Sequence, residues 1–437
     1  MSRPGAAAQR VLRLCDRIVE KDTREEQTMK TARLHAPRDL RITDEPVPSP
    51  GEGEVLLKIG AVGVCASDVH YYEEGAIGDV VIEEPLVLGH EAGAEVEALG
   101  PGVTSLQPGD KVAIEPGKHC GKCEICARGL VNLCPAVKFF GTPPTDGALR
   151  EFITWPADLC IPIPDSMTVV EAAMTEPMAV GIYAVDLANM KGGETVAVLG
   201  AGAIGLSVLQ AARVAGASKI WVVDPIEVRA RMAAKMGAGR ALTGDPTQIA
   251  EDIWAETGKA GVQIVFECAG TNDAVRQAVR MATYDGQVVA VGIPYPDEVS
   301  FPASTARRKN LTVRFVRRSR HAVQRAIDWA ASGQIDLKSY ATHQFPLERE
   351  QQVLGVVLLD LEVLVARHAE GVVLEDLHAG EQVVEVRGDD VLERDEALRA
   401  HRHETVEDRR HLHAGEELVA GRRVADDDGE VEREPAD

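Results

Sequence analysis

The hexapeptide Gly200-Ala201-Gly202-Ala203-Ile204-Gly205 constrains this chain more than any other feature, because of what stands on either side of it. Before it runs Thr195–Leu199, apolar and β-branched. After it, residues 206–215 are rich in Ala and Leu, and Lys219–Val223 then gives a second apolar run ending at Asp224. A bare GxGxxG is weak evidence. Strand, glycine turn, helix and second strand, with an acid nineteen positions past the last glycine, together make a βαβ unit for a dinucleotide. Gly200 permits the tight turn, Gly202 lets the backbone approach a pyrophosphate, and Gly205 allows close helix–strand packing. The helix start then offers unpaired N–H groups to the phosphates. Asp224 can accept hydrogen bonds from both ribose hydroxyls and would repel a 2′-phosphate, which favours NAD over NADP. Arg229, five residues on, is the counter-argument, since a cation there would welcome a phosphate. Alternation continues with a strand at Val262–Glu267, a helix at 273–281 and a strand at 287–291 that runs into Gly292-Ile293. This is the pattern of a doubly wound parallel sheet. The expected coenzyme contacts are Gly200, Gly202, Ile204, Gly205, Asp224, Arg229, Val291, Gly292 and Ile293.

Cysteines make the second signal. Cys120, Cys123, Cys126 and Cys134 place four thiols within fifteen residues, in the spacing C-x2-C-x2-C-x7-C. Cys65 stands apart upstream and is followed by Gly89-His90-Glu91. Four thiolates saturate a zinc ion and hold structure, whereas a mixed Cys/His/carboxylate set leaves a position open for chemistry. Two zinc sites of different kinds are therefore expected, and zinc suits both because it takes sulfur and imidazole without redox consequences. Two disulfides are the competing reading of the four-cysteine run. They need an oxidising compartment, and the first 28 residues carry no apolar run of signal-peptide length, so a reducing, cytoplasmic setting is expected. Cys15, Cys160 and Cys268 have no spacing partners and read as ordinary thiols.

At 437 residues and 45% hydrophobic content, the chain can build two domains with substantial cores. Its net charge of −22 speaks against nucleic acid or an anionic membrane as a general partner. Residues 195–217 form the longest apolar stretch, but glycines and Arg213 interrupt it, so strand, turn and helix fit better than a membrane span.

With these motifs in view, the chain resembles the zinc-dependent medium-chain dehydrogenases, and within them the sorbitol/xylitol (polyol) dehydrogenases. The resemblance is carried by residues 63–72 (GVCASDVHYY), Leu88-Gly89-His90-Glu91, the four-cysteine run, Phe139-Phe140-Gly141-Thr142-Pro143-Pro144, Thr175-Glu176-Pro177-Met178-Ala179-Val180 and the glycine hexapeptide. It spans residues 29–350. It implies an α/β architecture: a GroES-like, mostly-β catalytic domain at 29–178, a Rossmann NAD domain at 179–315, and a return to the catalytic domain at 316–350. It also implies zinc- and NAD-dependent oxidation of a polyol secondary alcohol to the ketose, in a homo-oligomer, either a tetramer or a dimer. The catalytic zinc would be held by Cys65, His90, Glu91 and a water. Glu176, standing where ordinary alcohol dehydrogenases of the family carry a third zinc-binding cysteine, would hold that water. Ser67 and His70 would relay the hydroxyl proton, and Tyr71, Glu176 and Arg317 would contact substrate. The family's substrate-contacting arginine lies in a Phe-Arg-Tyr motif, and Val316-Arg317-Arg318-Ser319 matches it only at Arg317. Bland readings compete: His70 as a solvated loop histidine, Glu176 as a cap for a helix starting near Pro177.

Both ends depart from the family pattern. Residues 1–28 precede the family-like start at Met29 and are either an extension or upstream of the true start. Residues 351–437 contain no Lys, Ile, Asn, Ser, Phe, Tyr, Trp, Cys or Met, and carry 24 Asp and Glu against 10 Arg, a net charge of −14. That alphabet matches a GC-rich coding sequence read in the wrong frame, so a frameshift near Gln351 is one expectation. A genuine, largely disordered acidic tail is the other. Either way the tail is expected to form no compact third domain, and the catalytic domain to lack its usual closing strand. Two further functions remain open at this point: a dehydrogenase of another secondary alcohol, such as threonine or a vicinal diol, and a zinc- and NAD-binding protein impaired by its C-terminus.

Overall fold

The computed structural model describes residues 27–349, except 295 and 296, together with the backbone of Val363–Ala366. Residues 1–26 of the expected N-terminal extension, Cys15 among them, and almost all of the acidic tail lie outside the described residues, whereas Thr28 already belongs to the strand Thr28–Ala36.

The first lobe is built on the strand Glu54–Gly63, whose sequence EVLLKIGAVG has apolar side chains on both faces, nearly all of them buried. A strand of that kind must be covered on two sides. It lies inside a seven-stranded sheet in the order Cys160–Pro162, Lys111–Ile114, Glu91–Leu99, Glu54–Gly63, Val363–Ala366 and His343–Phe345, with Phe152–Pro156 also paired to Glu54–Gly63. Gly63 stands opposite Glu91 in this pairing. The core beneath it gathers Leu34, Leu57, Val62, Leu88, Ile114 and Leu149, among others.

Here the structure corrects one expectation. Val363–Ala366 does close the sheet, running antiparallel to Glu54–Gly63 and parallel to His343–Phe345. Pairing of this kind uses backbone groups that any sequence offers, and four residues suffice to cover the exposed edge of the central strand.

The second lobe is a six-stranded, wholly parallel sheet in the order Arg240–Leu242, Lys219–Val223, Thr195–Leu199, Val262–Glu267, Ala282–Ala290 and Thr312–Phe315. Alternate residues of one strand enter different cores. Val196, Val198, Ile220, Val222, Ile264 and Phe266 pack on one face. Ala197, Leu199, Trp221, Val223 and Val265 pack on the other. That period of two, apolar in both phases, is why the strands read as continuous hydrophobic runs. The glycine turn leads into the helix Ala203–Val214, which starts three residues earlier than its Ala/Leu-rich stretch because Gly202 takes the N-cap position. A Cβ on Gly205 would stand 1.9 Å from the Gly200 carbonyl oxygen, so only glycine lets helix and strand approach this closely.

The helix Thr175–Ala188 joins the lobes. Met178, Ile182 and Val185 share one core with Ala61 and Ala113 of the first sheet and with Val196 and Val198 of the second. The returning segment adds Ile327, Leu337 and Tyr340 to that core, and the Tyr340 hydroxyl accepts from Gln210 Nε2 at 3.0 Å. Among the described residues, no helix is long and apolar enough to cross a membrane.

Candidate active site

Cys65 is the N-cap of the helix Ala66–Glu74, in extended conformation, so its thiol points off the start of that helix. Asp68, three residues on, is wholly buried. Its carboxylate accepts from the Cys65 N–H at 3.0 Å through one oxygen and from the Gly89 N–H at 3.0 Å through the other. One side chain thus ties the cysteine loop to the His90-Glu91 segment. The Asp68 Oδ1 atom also lies 3.6 Å from His90 Nδ1, which faces it and leaves Nε2 for another partner. A carboxylate behind a histidine in this way orients the ring for a metal.

Glu91 opens the strand Glu91–Leu99 and turns its side chain toward Gly63. A Cβ on Gly63 would meet a Glu91 carboxylate oxygen at 2.2 Å, so that carboxylate occupies the space that glycine leaves. One ligand atom each from Cys65, His90 and Glu91 lie within 4.8 Å of one another. The residues fit a zinc ion: one sulfur, one imidazole and one carboxylate converge, with fewer than four protein donors. Electrostatics agree. Burial pushes the Cys65 thiol above its ordinary pKa, and Glu91 adds to this. A bare pocket therefore disfavours the thiolate, and a bound cation would reverse that. Burial also works against a charged His90, yet Asp68 and Cys65 outweigh it and hold the imidazole well above its usual value.

The four-cysteine lobe fits zinc more tightly. The sulfur pairs Cys120–Cys126 and Cys123–Cys134 each stand 3.9 Å apart. A regular tetrahedron with zinc–sulfur bonds of about 2.3 Å has an edge of about 3.8 Å. Cys123 also caps the short helix Glu124–Ala127 by accepting from the Cys126 N–H at 3.4 Å. No disulfide occurs among the described residues, and Cys160 and Cys268 stand as free thiols.

Around the first cluster, Ser67, His70 and Tyr71 lie on the helix Ala66–Glu74, with Ser67 and His70 half-buried and Tyr71 buried. Tyr71 hydrogen bonds Thr142 and feels the charges of Arg318 and His90. Glu176, in the first turn of Thr175–Ala188, is 5% exposed, and burial raises its pKa against the opposing pull of His90 and Arg318. It stands outside the close Cys65–His90–Glu91 set.

Arg317 does not join these groups. It is exposed, and its carbonyl accepts from Asn132 Nδ2 at 2.9 Å. The arginine turned toward Tyr71, Glu176 and Glu115 is its neighbour Arg318, whose guanidinium lies 4.0 Å over the Phe139 ring. Arg318 takes left-handed backbone at φ 55°, in the irregular stretch before the helix Val323–Ala331. Glu115 is the other residue that the motifs do not single out. Burial, with Glu176 as a secondary cause, lifts its carboxyl to about 7. Phe139, its ring 5.4 Å from that of His90, completes the wall.

The residues expected to contact the coenzyme collect at the carboxyl ends of adjacent parallel strands. Leu199 pairs with Val223 and Glu267, and Glu267 with Ala290, so Gly200, Asp224 and Val291-Gly292-Ile293 emerge along one edge, where nucleotides bind in such sheets. Asp224 is buried and accepts from the Ala201 N–H at 2.7 Å and the Ile226 N–H at 2.8 Å. It therefore fixes the glycine turn as well as presenting a carboxylate. Ile204 lies in the first turn of Ala203–Val214, and Arg229 on the helix Glu227–Lys235 beyond Asp224.

Comparison with known proteins agrees with this chemistry. Residues 51–165 match the alcohol dehydrogenase GroES-like domain and residues 203–332 the zinc-binding dehydrogenase domain, so the chain is an enzyme of the zinc-dependent dehydrogenase class. Sorbitol dehydrogenase of Bacillus subtilis is 38% identical over 75% of this chain and 93% of its own length, and that of Rattus norvegicus is 38% identical over 72% and 89%. Among solved structures, an oxidoreductase from Escherichia coli superposes with a TM-score of 0.74 at 34% identity, over 78% of this chain and 99% of that one. An alcohol dehydrogenase from Escherichia coli, solved with NADH, gives 0.71 at 28% identity over 78% and 99%. The chain belongs to the zinc-dependent medium-chain dehydrogenase family, in its polyol dehydrogenase branch.

Proposed function

We propose that this enzyme oxidises the secondary alcohol of a polyol of the sorbitol or xylitol type to the ketose, with NAD as hydride acceptor and two zinc ions per chain. The observation that carries this reading is the open Cys65–His90–Glu91 cluster with a second buried carboxylate, Glu176, beside it. When bound at that cluster, zinc supplies Lewis-acid polarisation of a substrate hydroxyl. The chain's own residues do the rest. Asp68 holds the His90 ring and the Cys65 loop in place. Ser67 and His70, half-buried on one helix, pass the hydroxyl proton outward as general bases do. Tyr71, Glu176 and Arg318 offer polar contacts for the remaining hydroxyls. Asp224 favours NAD by accepting from the ribose hydroxyls. The reading includes association of identical chains and a cytoplasmic setting.

The test is coenzyme reduction with sorbitol, xylitol and threonine, each with NAD and with NADP. Turnover of the two polyols with NAD is expected. Turnover of threonine alone, or equal use of both coenzymes, would contradict the reading.

A further inference from the structure

We propose that Gly181 and Tyr340 are positioning residues: together they set how far the hydride-accepting ring of the coenzyme stands from the metal-ligand cluster, and so set the rate of hydride transfer. This rests on the coenzyme and metal placement proposed above and assigns its control to a contact outside both sites.

Two helices carry the two halves of the site. The helix Thr175–Ala188 bears Glu176 in its first turn. Met174, just before it, shares the gap at Gly63 with the Glu91 carboxylate, the two lying 2.8 and 2.2 Å from where a Cβ would stand. The helix Ala203–Val214 starts at the glycine turn. The two helices cross at Gly181 and Ser207. A Cβ on Gly181 would lie 2.5 Å from the Ser207 Cβ, 2.6 Å from the Ser207 carbonyl carbon and 2.8 Å from the Val208 nitrogen. Two of those atoms are backbone, so no side-chain rotation makes room. Glycine is among the least favoured residues inside a helix, and what it supplies here is close approach. At about 1.5 Å of rise per residue, the crossing lies about 7.5 Å along one helix from Glu176 and about 6 Å along the other from Ala203. One contact therefore spaces both ends.

A buried chain of hydrogen bonds clamps this crossing. Gln210 Nε2 donates to the Tyr340 hydroxyl at 3.0 Å, and Tyr340 donates to Ser207 Oγ at 3.1 Å. Ser207 in turn donates to the carbonyl of Ala203, the first residue of its helix, at 2.8 Å. Each hydroxyl gives one proton and takes one, which fixes the direction of the chain. Gln210 is itself anchored on the Asp336 backbone, accepting from the N–H at 2.7 Å and donating to the carbonyl at 3.1 Å. The Tyr340 hydroxyl oxygen also lies 3.7 Å from Met178 Sδ, three residues before Gly181 on the same face of its helix. Tyr340, Ser207 and Gln210 are at most 1% exposed. A satisfied polar chain in an apolar core holds one geometry, because any other leaves a buried group unpaired. The returning segment thus fastens the start of the coenzyme helix to the helix of Glu176.

The test has three readouts on the full chain: single-turnover NAD reduction with sorbitol, NAD affinity by calorimetry, and a distance. The distance runs from cobalt, exchanged for zinc at the Cys65–His90–Glu91 cluster, to the nicotinamide ring of bound NADH, and is read by paramagnetic NMR relaxation. Gly181→Ala must open the 2.5 Å approach to ordinary contact, a separation of roughly 1 Å. It should lengthen the cobalt–ring distance by about as much and slow hydride transfer by about 100-fold, with NAD affinity unchanged. Tyr340→Phe keeps the aromatic ring and should shift both in the same sense, slowing transfer by up to about tenfold. It decides the question if Gly181→Ala does not fold. A lower Tm with rate and distance unchanged, or a loss confined to NAD affinity, overturns the inference. If the unmodified enzyme does not reduce NAD with sorbitol, the polyol reading falls, and the cobalt–ring distance in the variants still decides this one. Failure of NADH to bind overturns it together with the coenzyme reading.

Discussion

The two cysteine-bearing clusters of the first lobe are assembled by opposite routes. The four-thiol cluster comes from one stretch of fifteen residues, closed on itself by a cysteine-capped turn. The Cys65–His90–Glu91 cluster comes from a helix cap and a strand start, tied together by the Asp68 carboxylate and fitted around the gap at Gly63. A local cluster can be lost only with its own fold, while a dispersed one can lose its chemistry with the fold intact. Buried carboxylates surround only the second, which makes it the site that responds to charge, pH and ligand.

The largest expected effect separates the two clusters at once. Structural zinc contributes roughly 10–16 kcal/mol of apparent folding free energy in small domains, against a total stability of roughly 5–15 kcal/mol. Cys123→Ser should therefore yield protein without a cooperative thermal transition near the normal Tm. Cys65→Ser should keep that transition and lose kcat/KM by about a thousandfold or more, since Lewis-acid stabilisation is worth several kcal/mol. Equal melting of both variants would erase the distinction.

A smaller effect should appear with pH. Glu115 titrates near 7 in the folded protein, above its ordinary 4.5, because burial favours the neutral carboxyl. That contribution to stability is complete below about 4.5 and is lost as pH rises through 7. Glu115→Gln should flatten the fall in Tm over this range and raise stability above pH 7 by up to about 3 kcal/mol. An unchanged pH profile in denaturant titrations would show that Glu115 is solvated. The smallest effect is expected for Asp68→Asn. It should weaken metal at the open cluster by about 10- to 100-fold and leave the four-thiol zinc untouched, as read by competition with a chelator.

What the sequence made legible was what is local. The βαβ unit, the glycine turn and the four-cysteine run each lie within about thirty residues, where periodicity and spacing report directly on backbone geometry. Arg318 was missed because residues 316–322 are irregular, so neither a period of two nor one of 3.6 indicates which neighbour turns inward. Its left-handed backbone was not signalled by any glycine. Asp68 left a usable trace, an acid three residues after a helix-capping cysteine, which is the spacing of a capping box. Glu115 left none, because an acid just past the end of a strand reads as solvated, and nothing local signals its burial. The closing strand at Val363–Ala366 was missed for a related reason: strand pairing draws on backbone, and composition says little about which short run will be recruited to an open edge.

Metal analysis of the purified chain, before and after dialysis against a mild chelator, tests the central contrast most directly. Two zinc ions per chain should fall to one, with X-ray absorption of the remaining ion showing four sulfur ligands and with activity lost but the thermal transition kept. A single zinc at the outset, or two that leave together as the protein unfolds, would contradict it.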